Sequence, residues 1–240
     1  MKNTKNSDCY LYIDGPDAEK FLQGQLTCDI TQLTDTPVLA AHCNPKGRII
    51  SLFWIFRYNG GFLLQLPENM LSIAKNNLNK YSIFFKTSLE TVENPTELPA
   101  NCQHTRLEKI EKGIPSVYAE TSEKFLPHRI SLIDFGGVSF SKGCYTGQEI
   151  IARLQYLGKT KKALYHYQGA LIDEALTDET LVGKPMFNAE GKSMGKILFC
   201  RTHENQLHVL AVLNTDAPDS VMYLTNTQEN KLNKVDLPIP

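Results

Sequence analysis

Two tight turns, Asn44-Pro45-Lys46-Gly47 and Tyr58-Asn59-Gly60-Gly61, limit what this chain can fold into more than any other feature. In the first, proline presets φ and glycine supplies positive φ, and the second carries the Asn-Gly signal of a hairpin. The runs on either side, Val38 to Cys43, Arg48 to Arg57 and Phe62 to Leu66, are rich in β-branched and aromatic residues. Three consecutive antiparallel strands follow. Tyr10 to Ile13 reads as a further strand, after which Gly15-Pro16 opens a short helix carrying Ala18, Phe21 and Leu22 on one face. Pro67 starts a second helix, with Met70, Leu71, Ala74 and Leu78 at helical spacing, and Tyr81 to Phe85 returns as a strand. A sheet with packed helices is an α+β layer.

From Thr91 to Gln103 the chain carries Pro95 and Pro99 among polar residues with no period of two or 3.6, and reads as a linker. A helix over Arg106 to Lys112 ends at Gly113, and Pro115 forces an extended exit. After Lys161 come short strands, Ala163 to Tyr167, Ile197 to Cys200, Leu207 to Leu213 and Val221 to Leu224, separated by turn residues. That pattern predicts a small antiparallel barrel or sandwich. The expected organisation is an α+β domain over residues 1–160, with its linker near 91–103, and a C-terminal β-barrel over 161–240.

The 240 residues carry 25 Lys plus Arg against 26 Asp plus Glu, a net charge of −1, so no broad polycation holds a phosphate backbone. Direct nucleic-acid binding is disfavoured. The longest apolar run, Ile49 to Phe56, falls short of the roughly 18 residues of a membrane span. The polar stretch from Met1 to Asp8 lacks the apolar core of a secretory signal, which predicts a cytoplasmic protein. Six cysteines are spread singly, with no Cys-x-x-Cys pair, and His203 and His208 share no helical or strand face. Free thiols and no built-in metal site are expected.

The most informative stretch is Lys142-Gly143-Cys144-Tyr145-Thr146-Gly147-Gln148-Glu149. Thr146 and Glu149 have the spacing of a capping box, with Tyr145 and Ile150 as a hydrophobic staple. The helix from Gly147 is expected to bury Ile150, Ile151 and Leu154 and to end near Gly158. Cys144 then sits just before a helix N-terminus and two residues from Lys142, a setting that favours the thiolate. Gly143 and Gly147 leave the backbone open to approach. Two readings of Cys144 stand side by side, a reactive thiol and a small buried hydrophobe. A cysteine hydrolase would need a histidine partner, and the spacing of His128 and His166 recommends neither.

These residues carry a resemblance. The octapeptide resembles the signature of the YgfZ family, folate-binding proteins related to the T-protein (aminomethyltransferase) of the glycine cleavage system. Phe21-Leu22-Gln23-Gly24-Gln25-Leu26-Thr27-Cys28-Asp29 and Cys43-Asn44-Pro45-Lys46-Gly47-Arg48 are similar to the family's first helix and first hairpin. Lys80-Tyr81-Ser82-Ile83-Phe84, Gly113-Ile114-Pro115 and Phe125-Leu126-Pro127 match in the same order. The resemblance implies a T-protein-like fold that binds tetrahydrofolate or a one-carbon derivative. It also implies support of iron–sulfur cluster assembly or repair, and through it of tRNA-modifying enzymes. Iron–sulfur assembly proteins or cluster-containing enzymes are the implied partners, and no turnover reaction is implied. Cys144 would be the functional residue, with Lys142, Gln148 and Glu149 beside it, although capping alone also accounts for Glu149. For a reduced folate, Gln25, Asp29 and Asn44 would serve the ring and Lys46, Arg48 or Arg153 the glutamate tail, with Tyr145 a further binding residue. Alternatives are an interaction module that has lost folate and an aminomethyltransferase-like enzyme. The chain departs from longer relatives in lacking a middle subdomain and in having Asp8 and Thr105 where some members place tryptophans. Trp54, its one tryptophan, is assigned to the core, and Lys159-Thr160-Lys161-Lys162 reads as a solvated loop or a patch for an acidic partner or RNA.

Overall fold

The computed structural model describes residues 8–96, 98–99, 102–170, 176–216 and 221–238. Its first half is built on strands β1 (Asp8–Asp14), β2 (Val38–Cys43), β3 (Ile49–Tyr58), β4 (Gly61–Pro67) and β5 (Ser88–Val92). They form one antiparallel sheet in the order β2-β3-β4-β1-β5. The two turns join β2 to β3 and β3 to β4, as their residues predict. By register, Leu11, Leu64, Leu66 and Phe53 share one face. Helices α1 (Ala18–Gln25) and α2 (Leu71–Ser82) bury Phe21, Leu22, Ala74 and Leu78 in the same core.

Three local readings change. Pro67 ends β4, and α2 begins only at Leu71, after a turn of 3-10 helix. Helix α1 begins at Ala18 with Asp17 as its cap, so Pro16 lies in the preceding turn rather than at the first helical position. Tyr81 to Phe85 is not a strand: α2 runs through Ser82, turns follow, and pairing resumes only at Ser88. Ile83 and Phe84 are each 76 % exposed. An apolar run at a helix end has no inherent period, and these side chains found no sheet to join.

The expected linker is partly structured. Thr91 and Val92 belong to β5, the Thr96 N–H donates to the Tyr58 hydroxyl, and Cys102 is buried; positions 97, 100 and 101 lie outside the described residues. Residues 1–7, which carry most of the stretch read against a secretory signal, also lie outside them. Helix α3 (Arg106–Glu111) has a complete capping box between Thr105 and Glu108.

After α4 (Gln148–Leu157) the chain enters β6 (Lys162–Ala170), the one-turn α5 (Asp178–Leu181), β7 (Pro185–Phe187), β8 (Ser193–His203), β9 (Gln206–Asn214), β10 (Val221–Tyr223) and β11 (Lys231–Val235). These strands close into a barrel in the order β10-β11-β6-β9-β8-β7. Strand β9 is buried along most of its length because it has two apolar faces. Leu207, Val209, Ala211 and Leu213 fill the barrel, while Leu210 and Val212 join the core of the first half. Among the described residues, no helix is long and apolar enough to cross a membrane.

Candidate functional site

The site is the segment from Gly136 to α4, which lies across the α1–β2 connection and the β2–β3 turn. Thr27 ties them together. Its fully buried hydroxyl donates to the Gly137 carbonyl at 2.6 Å and accepts from the Ala41 N–H at 2.9 Å. Its carbonyl receives the Ser139 N–H at 2.9 Å, and the Gly24 carbonyl receives the Thr146 N–H at 3.2 Å.

Lys142 is buried beneath the loop. Its ammonium donates to the carbonyls of Leu26 (2.8 Å) and Cys28 (2.7 Å) and lies 5.1 Å from the centre of the Tyr145 ring. Burial brings its pKa down to about 8, against the opposing pull of Cys28 and Asp29. The lysine therefore anchors the signature loop to the α1–β2 connection, with its charge engaged by two carbonyls. Lys142→Met should cost about 2–3 kcal/mol, because it leaves those carbonyls without their charged donor. Urea unfolding of the two proteins checks this, and equal midpoints would exclude the anchoring role.

The capping box does not form. The Thr146 N–H is already taken by Gly24, and α4 starts one residue later behind Gly147, its cap, at φ +86°. Glu149 is exposed, and of the three apolar residues only Ile151 is fully buried; Ile150 is 37 % exposed and Leu154 is half-buried. The staple between Tyr145 and Ile150 lacks its buried partner. Gly147 instead presses on the first turn: a methyl group there would meet the Asn44 carbonyl oxygen at 2.6 Å and the Gly47 Cα at 3.0 Å. Two glycines in contact bring loop and turn together.

Cys144 stands exposed on this anchored loop, beside Gly143, around whose Cα a side chain would meet open space. The other described cysteines are free and all less exposed, and burial raises their pKa values, Cys28 to about 12. The expected folate residues are distributed as follows. Gln25 and Tyr145 are buried, and both Gln25 Oε1 and the Tyr145 hydroxyl lack hydrogen-bond partners. Burial, followed by the nearby Cys43, raises the Tyr145 pKa. Asp29 accepts from Thr31 and Gln23, which lowers its pKa. Asn44 donates to Glu123, Arg48 donates to the Lys124 carbonyl, and Lys46 is exposed. Gln148 is half-buried at the start of α4, and Arg153 is exposed on that helix and lines a groove with Ile150 and Leu154.

A small, partly open cavity of about 10 Å³ is lined by Asp8, Trp54, Gln65 and Lys109 among others, enough space for about one water. Asp8 accepts from Gln65 at 2.6 Å and pairs with Lys109 at 3.3 Å. Trp54 is half-buried, with its ring 6.4 Å from that of His104. Sequence reading missed the roles of Thr27, His42 and Arg129. Their signal is long-range, since each is defined by what distant segments place beside it.

The architecture matches that of an aminomethyltransferase-type protein. The glycine cleavage system aminomethyltransferase T from Bartonella henselae superposes with a TM-score of 0.70 over 97% of this chain and 84% of that one, at 11% identity. The chain belongs to the YgfZ family: it is 30% identical to the tRNA-modifying protein YgfZ of Klebsiella pneumoniae, an alignment covering 87% of this chain and 84% of that protein. It is also 25% identical to the protein of the same name from Vibrio atlanticus, covering 94% and 87%. An uncharacterized protein of Haemophilus influenzae is 27% identical, covering 94% and 93%. No protein-family model matches the chain.

Proposed function

We propose that this protein is a folate-linked accessory factor in tRNA modification that acts through the Cys144 thiol, in support of iron–sulfur enzymes. The observation that carries the reading is a solvent-exposed cysteine on a loop whose flanks are held by buried contacts. Such a thiol is open to a partner yet fixed in position, which suits transfer of sulfur or a cluster better than a mobile surface cysteine would. Lys142 and Gly147 orient the loop. Glu149 and Gln148, at the start of α4, lie close enough in sequence to contact whatever Cys144 engages.

Tetrahydrofolate would supply one-carbon chemistry. The residues fit it in one respect: Gln25 Oε1 and the Tyr145 hydroxyl are buried without partners, and a pterin's amide edge offers the matching donors and acceptors. Lys46 and Arg48 would meet its carboxylates. The 10 Å³ space beside Trp54 is too small for it.

Cys144→Ser tests the reading. In cells lacking the native gene, this variant should support several-fold less thiolated tRNA nucleoside, measured by mass spectrometry, with an unchanged melting temperature. Full support would make the thiol dispensable and leave a noncatalytic interaction module. The ligand is tested separately, by calorimetric titration with 5-formyltetrahydrofolate. Saturable binding that Gln25→Ala weakens about tenfold is expected. No heat at millimolar ligand would remove folate and leave the thiol reading standing.

A further inference from the structure

A large cavity opens beside α4, and Cys144 is not part of its lining. It is an open groove of about 570 Å³ along α4, between that helix and the Leu126–Arg129 segment, reaching the turn that leads to β6. Four cations line it, Arg129, Arg153, Lys159 and Lys161, and no acidic residue does. None of the four forms an ion pair among the described residues. The Arg129 Nε is buried without an acceptor. Like charges are thus gathered around a hollow with no acidic residue in its lining to balance them.

The floor is aliphatic. Ile150, Leu154 and Leu157 follow one stripe of α4, and Ile150 and Leu157 are 37 % and 84 % exposed. Exposed leucine and isoleucine at i, i+4 and i+7 form the ridge onto which a partner helix packs. Nucleic acid is a poorer match, because bases are held by stacking on aromatic rings and this floor has none. The helix has 10 residues, a length of about 15 Å, which a partner segment of roughly three turns would cover.

We propose that this groove docks an acidic amphipathic segment of a protein partner, with apolar side chains on the α4 stripe and carboxylates on the four cations. The groove runs from Ile150, in the first turn of α4, to Lys161 beyond its last turn, and Cys144 does not line it. The charges steer the partner and fix its register, while the apolar stripe holds it.

The probes are synthetic helical peptides of about 14 residues. One has leucine at i, i+3, i+4 and i+7 with glutamate between; a second has lysine for glutamate, and a third has serine for leucine. A single-stranded RNA of similar length is the fourth. Fluorescence anisotropy should show saturable, salt-sensitive binding of the first peptide alone. Arg153→Glu combined with Lys161→Glu should weaken it at least about tenfold, and Leu157→Ser about fivefold. These positions are exposed, and circular dichroism checks that the variants remain folded. Equal binding of the serine peptide would reduce the groove to a nonspecific basic patch. Tighter binding of RNA would assign the groove to nucleic acid, and unchanged affinity in the variants would place the peptide elsewhere; each result overturns the proposal.

Discussion

Gly147→Ala is expected to cost roughly 3 kcal/mol or more and to loosen the Cys144 loop. Two penalties act together. The φ of +86° is left-handed, which alone costs a side-chain-bearing residue about 1–2 kcal/mol. The added methyl would also overlap the Asn44 carbonyl oxygen at 2.6 Å and the Gly47 Cα at 3.0 Å. Backbone atoms cannot swing aside as a side chain would. The Asn44 oxygen is held by the Gly47 N–H at 2.8 Å, and the Asn44 N–H by the Arg48 carbonyl at 2.9 Å, so the turn resists displacement. Gly143→Ala is the control, with nothing within 4 Å of the added atom, and should stay within about 0.5 kcal/mol. Urea unfolding measures both, and the rate at which Cys144 reacts with a thiol reagent reports the loop. Equal stability of the two variants would mean that the contact between loop and turn is not structural.

The second large effect is acid sensitivity near neutrality. His42 and His166 are buried, both nitrogens of each ring lack partners, and the pKa of each is lowered from 6.5 to about 4. Burial is the main cause in both. Lys80 adds to it at His42. At His166 the addition comes from His208, stacked at 5.6 Å, which in turn faces Glu111 and His203. The unfolded chain takes up protons near pH 6.5, whereas the folded chain does so only near pH 4. Between these values the unfolded state binds more protons, so stability is full above about pH 6.5 and is lost as pH falls toward 4. At about 1.4 kcal/mol per unit for each ring, the loss by pH 4.5 is on the order of 5 kcal/mol. Denaturant midpoints at pH 7.5, 6 and 4.5 test this. His166→Phe should lessen the slope, since one of the two most strongly shifted rings is gone. A stability flat across that range would show that the rings acquire protons without disturbing the fold.

The errors of sequence reading share a physical origin. Thr146 and Glu149 have the spacing of a capping box, but a cap forms only if its N–H is free, and Gly24, more than a hundred residues earlier, already binds that of Thr146. Tyr81 to Phe85 has the composition of a strand, yet strand pairing depends on which edge lies within reach. Lys142 stands beside Cys144 in sequence, but its ammonium is directed to carbonyls of the α1–β2 connection.

Local chemistry determined the three-stranded hairpin array, the existence of the two helices that pack on it, and most of the barrel strands. These features rest on φ preferences and apolar periodicity within about ten residues, which a linear reading contains. The tertiary structure alone decided that Thr27 and Lys142 hold the loop, that Gly147 lies on Gly47, and that four cations gather along an apolar stripe. Each of these is a meeting of segments far apart in the chain, and its energy comes from burial and shape, which exist only once the chain has closed on itself.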